Sequence, residues 1–126
     1  MSNFNTYTTV SADGTLLKLY RWNEQGKHNI FLLHGYAGHA QRLSSFALSL
    51  AQKGYRVTAL DLRGHGKSEG CRGNIDLWLR YTEDTLAAIA TIRKPFWTIA
   101  CGSSGLSMLR TMQESIAPNM LGVVLV

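Results

Sequence analysis

Hydrophobic and polar positions change period several times along the 126 residues, and each change marks an element. In TTVSADGTLLKLYRW, residues 8–22, apolar and polar residues alternate on both sides of Asp13-Gly14. That dipeptide suits a tight turn, so the pattern predicts two short strands in a hairpin. Asn23 to Lys27 is a polar turn. His28 to His34, built around NIFLL, is apolar on consecutive positions, as a strand buried on both faces requires. Leu43, Phe46, Ala47, Leu50 and Ala51 then recur at helical spacing, and Gly54 offers a left-handed cap after Lys53. Tyr55 to Leu60 reads as a strand. Ile75, Trp78, Leu79, Thr82, Leu86, Ile89 and Arg93 trace one face of a long helix, capped by Asn74 and stopped by Pro95. Phe96 to Ala100 is a strand, and IACGSSGLSML runs from its end into a helix carrying Leu109, Met112 and Ile116. Ala117-Pro118-Asn119 breaks that helix, and Leu121 to Val126 forms a last strand.

The order is a hairpin, then strand and helix repeated three times, then a strand. Strands alternating with helices of this length imply an α/β fold: a mostly parallel sheet with an N-terminal antiparallel hairpin and helices on both faces. Residues 1–126 make one domain. Ligands of such sheets sit beyond the carboxyl ends of the strands. The three glycine-rich loops, after His34, Leu60 and Ala100, all fall there and are expected to converge on one rim.

A formal charge of +5 invites a nucleic-acid reading, but the basic residues are scattered singly with no block of five or six. A solvated basic surface is expected instead, with no nucleic-acid partner. Cys71 and Cys101 fit neither a disulfide framework nor a metal site. The polar N-terminus lacks the apolar core of a signal peptide, and no apolar run approaches the ~18 residues of a membrane span. A cytoplasmic protein with no cofactor and no metal is expected.

Each loop carries its own chemistry. A serine nucleophile on a strand-to-helix turn needs strained backbone angles, and the residues two before and two after it must be small. For Ser103 those positions are Cys101 and Gly105; for Ser104 one of them is Leu106, which is too bulky. Ser103 is therefore the candidate nucleophile, and the amide of Ser104, at the helix start, is a candidate oxyanion donor. In His34-Gly35-Tyr36-Ala37-Gly38, Gly35 lets the chain turn so that the amide of Tyr36 supplies a second donor. His34 reads as a buried histidine bonded to backbone that shapes this loop rather than as a general base. Gly66-Lys67-Ser68 mimics a phosphate loop, but position 61, where such a loop has glycine, is aspartate. Asp61 and Arg63 are expected to pair and brace the third loop.

These residues resemble the α/β-hydrolase family, and within it the monoglyceride lipase and lysophospholipase group. HGYAG, LDLRGHGKSEG and CGSSG match in order and spacing, and the loop D-x-R-G-H-G-x-S is present in full. The resemblance implies Ser103 as nucleophile and the amides of Tyr36 and Ser104 as oxyanion hole. It makes His34, Gly35, Asp61, Arg63, Gly64, His65 and Gly105 residues that shape the loops. It also implies a small-molecule ester or lipid substrate, with peripheral membrane contact compatible with the basic surface. The family elbow usually reads G-H-S-x-G-G; here Cys101, Gly102 and Leu106 stand at the first, second and last of those places.

In this fold the triad acid and histidine follow later strands, in the order Ser, Asp or Glu, His. No histidine follows His65 here, and serine without a base is a poor nucleophile at neutral pH. The expectation is a serine esterase of the lysophospholipase type represented by its N-terminal half, with little turnover of its own. A naturally short non-catalytic binding module, or a chain completed by a partner, are the rival readings. The final apolar strand, left at a sheet edge, predicts aggregation or strand-paired dimers.

Overall fold

A computed structural model of the chain describes residues 4–35, 38–71, 79–92, 94–114 and 119–126. Strands β1 (Phe4–Val10) and β2 (Leu16–Trp22) pair antiparallel around the turn at Gly14, which lies at φ +89°. Strand β3 (His28–Leu33) is followed by a 3-10 turn (Ala40–Leu43), helix α1 (Ser44–Gln52) and strand β4 (Tyr55–Leu60). Helix α2 (Leu79–Ile89), strand β5 (Phe96–Ala100), helix α3 (Ser104–Glu114) and strand β6 (Met120–Leu125) complete the described elements. The predicted cap Asn74, the first turn of the predicted helix and Arg93 lie outside the described residues, as do Ile116, Ala117 and Pro118.

Among the described residues the strands form one sheet in the order β1-β2-β4-β3-β5-β6. Strand β3 runs parallel to both β4 and β5, and β5 parallel to β6; β2 joins β4 antiparallel. The mixed sheet with an antiparallel hairpin is thus the one the periodicity implied. The chain reverses its direction of growth at β3, with β4 on one flank and β5 on the other, and a crevice opens at the carboxyl ends of such a switch.

The run NIFLL explains why β3 is central. Phe31 and Leu33 pack with Tyr81, Ala88 and Met108 on the face covered by α2 and α3. Ile30 and Leu32 pack with Ala47, Val57, Tyr20 and Trp22 on the face covered by α1. Each fully buried large apolar side chain contributes about 2 kcal/mol, and the alternation secures the strand from both sides.

Two helix faces differ from the periodic reading. In α2 the buried residues include Tyr81, Thr82, Asp84, Thr85, Ala88 and Ile89, while Leu79 is exposed. The cause is polar: Asp84 is drawn inward by Arg63, and Thr85 satisfies its hydroxyl on the Tyr81 carbonyl. In α3 the inward row is Ser104, Gly105, Ser107, Met108 and Thr111, and Leu106, Leu109 and Met112 are exposed. Small residues bring α3 close to the sheet; a Cβ on Gly105 would lie 3.3 Å from Leu125.

Candidate active site

The parallel pairing of β3 with β5 sets Leu33 against Ala100, so the loops after both strands emerge side by side. The Cys101 amide continues the ladder to the Leu33 carbonyl at 2.9 Å. Two residues after Leu33, Gly35 lies against the elbow so closely that a Cβ there would stand 3.1 Å from the Cys101 carbonyl oxygen. Two of the three loops therefore meet at the switch point. Tyr36 and Ala37 lie outside the described residues.

At the turn from β5 into α3, the residue in left-handed conformation is Gly102, at φ +57°. Its amide reaches the Val126 carbonyl at 2.9 Å, so it still belongs to the sheet when the chain reverses. Glycine takes this conformation without the Cβ clash other residues meet. Among the described residues Asn23 alone combines positive φ with a side chain, so the left-handed turn expected at the serine falls one residue earlier, on a glycine that takes it without strain. Ser103 follows directly, half-buried, and its carbonyl accepts the Leu106 amide at 3.2 Å. Ser104 is the first residue of α3 and is buried. Its hydroxyl donates to the His34 carbonyl, and its amide reaches the Cys101 carbonyl at 3.2 Å.

His34 is buried and bonded on both ring nitrogens. The Leu62 amide donates to Nε2 at 3.0 Å, so Nε2 is unprotonated and Nδ1 donates to the Gly35 carbonyl at 2.7 Å. Burial pushes its pKa down to about 4, opposed by the bond to the Gly35 carbonyl. The neutral imidazole ties the β3 loop to the β4 loop, and both its nitrogens are already used.

The third loop is braced by three carboxylates: Asp61 binds its own set of donors, whereas Asp84 and Asp13 share Arg63. Buried Asp61 accepts the Ala40 amide at 2.7 Å on Oδ1, and the Tyr20 hydroxyl at 2.8 Å and the Lys67 amide at 3.0 Å on Oδ2. Burial raises the Tyr20 pKa, and the bond to Asp61 raises it further. The expected Asp61–Arg63 pair is absent. Arg63 instead forks onto Asp84 at 2.8 and 2.6 Å and onto Asp13 at 2.7 and 3.1 Å. The Arg63 bond holds the Asp13 carboxyl well below the usual carboxylate range. Residues two apart share a face only while a strand continues, and here β4 ends at Leu60 and the chain turns at Arg63 and Gly64, so the two side chains part. Sequence reasoning missed Asp13 and Asp84 because they stand 50 and 21 residues from Arg63, one in a turn and one on a helix.

The rest of the loop follows. Gly64, at φ +73°, donates to the Glu69 carbonyl at 2.8 Å. His65 is buried, its Nδ1 2.9 Å from the Arg63 carbonyl and its ring 5.1 Å from that of His34. Gly66 passes directly over Asp61. The Ser68 hydroxyl donates to the Asp61 carbonyl and receives the Lys18 amide at 2.8 Å. The segment that mimics a phosphate loop thus spends the Lys67 amide and the Ser68 hydroxyl on an internal carboxylate residue.

With this geometry in hand, comparison with known proteins is decisive about family. The profile of the family described as serine aminopeptidase, S33, matches residues 24–121. The chain belongs to that family. Over 89 residues it is 34% identical to monoglyceride lipase of Rattus norvegicus, covering 69% of this chain and 29% of the relative. Over 68 residues it is 41% identical to monoacylglycerol lipase of Mycolicibacterium smegmatis, covering 52% of this chain and 24% of the relative. The fold superposes on an esterase from Rhodococcus sp. with a TM-score of 0.84 and 26% identity, over 96% of this chain and 45% of that one. The α/β-hydrolase resemblance is therefore established, and the match spans less than a third of these curated relatives' length. Among the described residues no helix is long and apolar enough to cross a membrane.

Proposed function

We propose that this member of the esterase and lipase-type α/β-hydrolases supplies the nucleophile and oxyanion side of a serine-dependent ester hydrolase, with a small-molecule ester or lipid as substrate. The observation that carries this reading is the different fate of the two adjacent serines. The Ser104 hydroxyl is buried and committed to the His34 carbonyl, whereas Ser103 is half-buried on the rim where the β3 and β5 loops meet. The Ser103 hydroxyl attacks the ester carbonyl, its proton passes to a histidine base, and the alcohol leaves; water then releases the acid. The oxyanion rests on the amides of Tyr36 and Ser104. The Ser104 amide exchanges its long contact with the Cys101 carbonyl for a shorter, charge-assisted one. His34 is unsuited to act as that base because Nε2 already accepts the Leu62 amide. No histidine follows His65, so the chain alone turns over little substrate.

A fluorophosphonate probe with peptide mapping tests this. The expected result is slow labelling at Ser103, accelerated by added imidazole as an external base and lost in Ser103→Ala. A second reading, a non-catalytic module that retains the rim, is favoured by the left-handed turn falling on Gly102 rather than on the serine. Absence of label at Ser103 in the presence of imidazole supports that reading and overturns the first.

A further inference from the structure

At the opposite edge of the sheet lies a cavity of about 520 Å³ that the rim chemistry does not use. It opens at the amino ends of β3, β4, β5 and β6, bounded among others by Lys27, His28, Tyr55, Lys94, Trp97 and Leu121. The six residues of β3 separate it from His34 by roughly 20 Å.

Its lining has two chemical halves. Lys27 and Lys94 are exposed, neither is ion-paired with a described residue, and among the described residues no carboxylate lines the cavity. Glu24, three residues before Lys27, is taken by Asn5, Tyr7 and Arg56. Two unneutralised ammonium groups on one concavity concentrate positive potential there. The other half is apolar. The Trp97 ring lies across Gly122, where a Cβ would come within 2.4 Å of it, so the indole is held flat as a wall. Trp97 and Leu121 are 48% and 60% exposed. Beyond the indole, Val124 stands opposite Ile99 on the same sheet face as Trp97, and it too is largely exposed. The apolar wall thus continues along the strands as an aliphatic strip, which suits a hydrocarbon chain better than a compact ring.

We propose that this cavity binds a single-chain anionic amphiphile, its carboxylate or phosphate head at Lys27 and Lys94 and its chain over Trp97 toward Val124. Binding does not depend on Ser103 being a nucleophile. Should the rim cleave lipid esters, this ligand class includes the acid it releases, and the cavity then senses product.

Calorimetric titration of the whole chain with decanoate below its micellar range tests the proposal. Decanoate is expected to bind saturably, decanol about tenfold or more weakly because it lacks the charge, and acetate not detectably because it lacks the chain. The surface variant Lys27→Glu/Lys94→Glu is expected to weaken decanoate about tenfold or more with an unchanged melting curve. Monodecyl phosphate identifies the head group: binding as tight as decanoate means the site reads charge alone, weaker binding means it favours carboxylate, and both fit the proposal. Equal binding of decanol and decanoate, or an affinity untouched by the double substitution, overturns it.

Discussion

The buried hydroxyl of Ser104 donates to the main-chain carbonyl of His34, 70 residues earlier in the chain. This bond joins the first turn of α3 to the loop that leaves β3, the two segments whose proximity defines the rim. It also separates two serines that the sequence presents as near equivalents. Replacing Ser104 by alanine strands a buried carbonyl and is expected to cost about 1–2 kcal/mol in urea unfolding, while Ser103 remains open to the fluorophosphonate probe. Ser103→Ala is expected to change stability by less than about 0.5 kcal/mol and to abolish labelling. Label that survives Ser103→Ala and vanishes in Ser104→Ala assigns the roles the other way.

Arg63 is the second anchor. Its guanidinium is almost fully buried between Asp84, which has no exposure, and the edge carboxylate of Asp13. Breaking such a pair leaves an uncompensated buried charge, so Arg63→Met and Asp84→Leu are each expected to cost about 3 kcal/mol or more. The double variant is expected to recover much of that loss, because neither charge is then stranded. Arg63→Lys is expected to behave like a loss, since an ammonium lacks the planar fork that serves both carboxylates. Additive single losses in a double-mutant cycle contradict the pairing.

What the sequence makes legible follows from how local each interaction is. The strands Tyr55–Leu60 and Phe96–Ala100 come straight from largely apolar segments that begin just after Gly54 and Pro95, and the structure places them there. Residue types at a turn, such as Gly35 beside Cys101, are likewise readable, because a residue without a side chain suits so close an approach. Asp84 is different. A carboxylate on a helix reads as solvent-facing until its partner is known, and that partner lies in another loop. The outward row Leu106, Leu109 and Met112 fails for a related reason: hydropathy ranks leucine above serine and threonine, whereas the sheet accepts the small residues that allow close approach. The backbone of the elbow was also out of reach, because Gly102 and Ser103 are both compatible with a sharp turn and composition does not say which one bends.

Two glycines with positive φ separate steric from conformational cost. At Gly66, φ +51°, a Cβ would stand 2.3 Å from an Asp61 carboxylate oxygen; at Gly14, φ +89°, nothing lies within 4 Å. Gly14→Ala is expected to cost about 1 kcal/mol, the strain of a left-handed alanine alone. Gly66→Ala adds displacement of a buried carboxylate from its bonds to Ala40, Tyr20 and Lys67, and is expected to cost about 3 kcal/mol in total. Similar unfolding midpoints for the two variants would mean that Asp61 does not hold the loop.

His34 makes the fold sensitive to mild acid in a way that can be separated from its carboxylates. Its pKa in the folded chain is about 4 against an ordinary 6.5, chiefly because burial disfavours the imidazolium. The unfolded chain therefore binds the proton more readily, and stability is fully present above pH 6.5 and drains away as the pH falls toward 4. Between pH 7 and pH 5 the loss attributable to this residue is about 2 kcal/mol. The carboxylates act in the same direction but in a lower window: Asp13 and Glu24 have lowered values, so their contributions are present above about pH 4.5 and are lost only below it. Urea midpoints at pH 7, 6 and 5 thus isolate the histidine. In His34→Gln, whose amide oxygen can still accept the Leu62 N–H but does not titrate, the chain is expected to be less stable at pH 7 and nearly flat across this window. A slope that persists in the variant moves the acid sensitivity away from the link between the β3 and β4 loops.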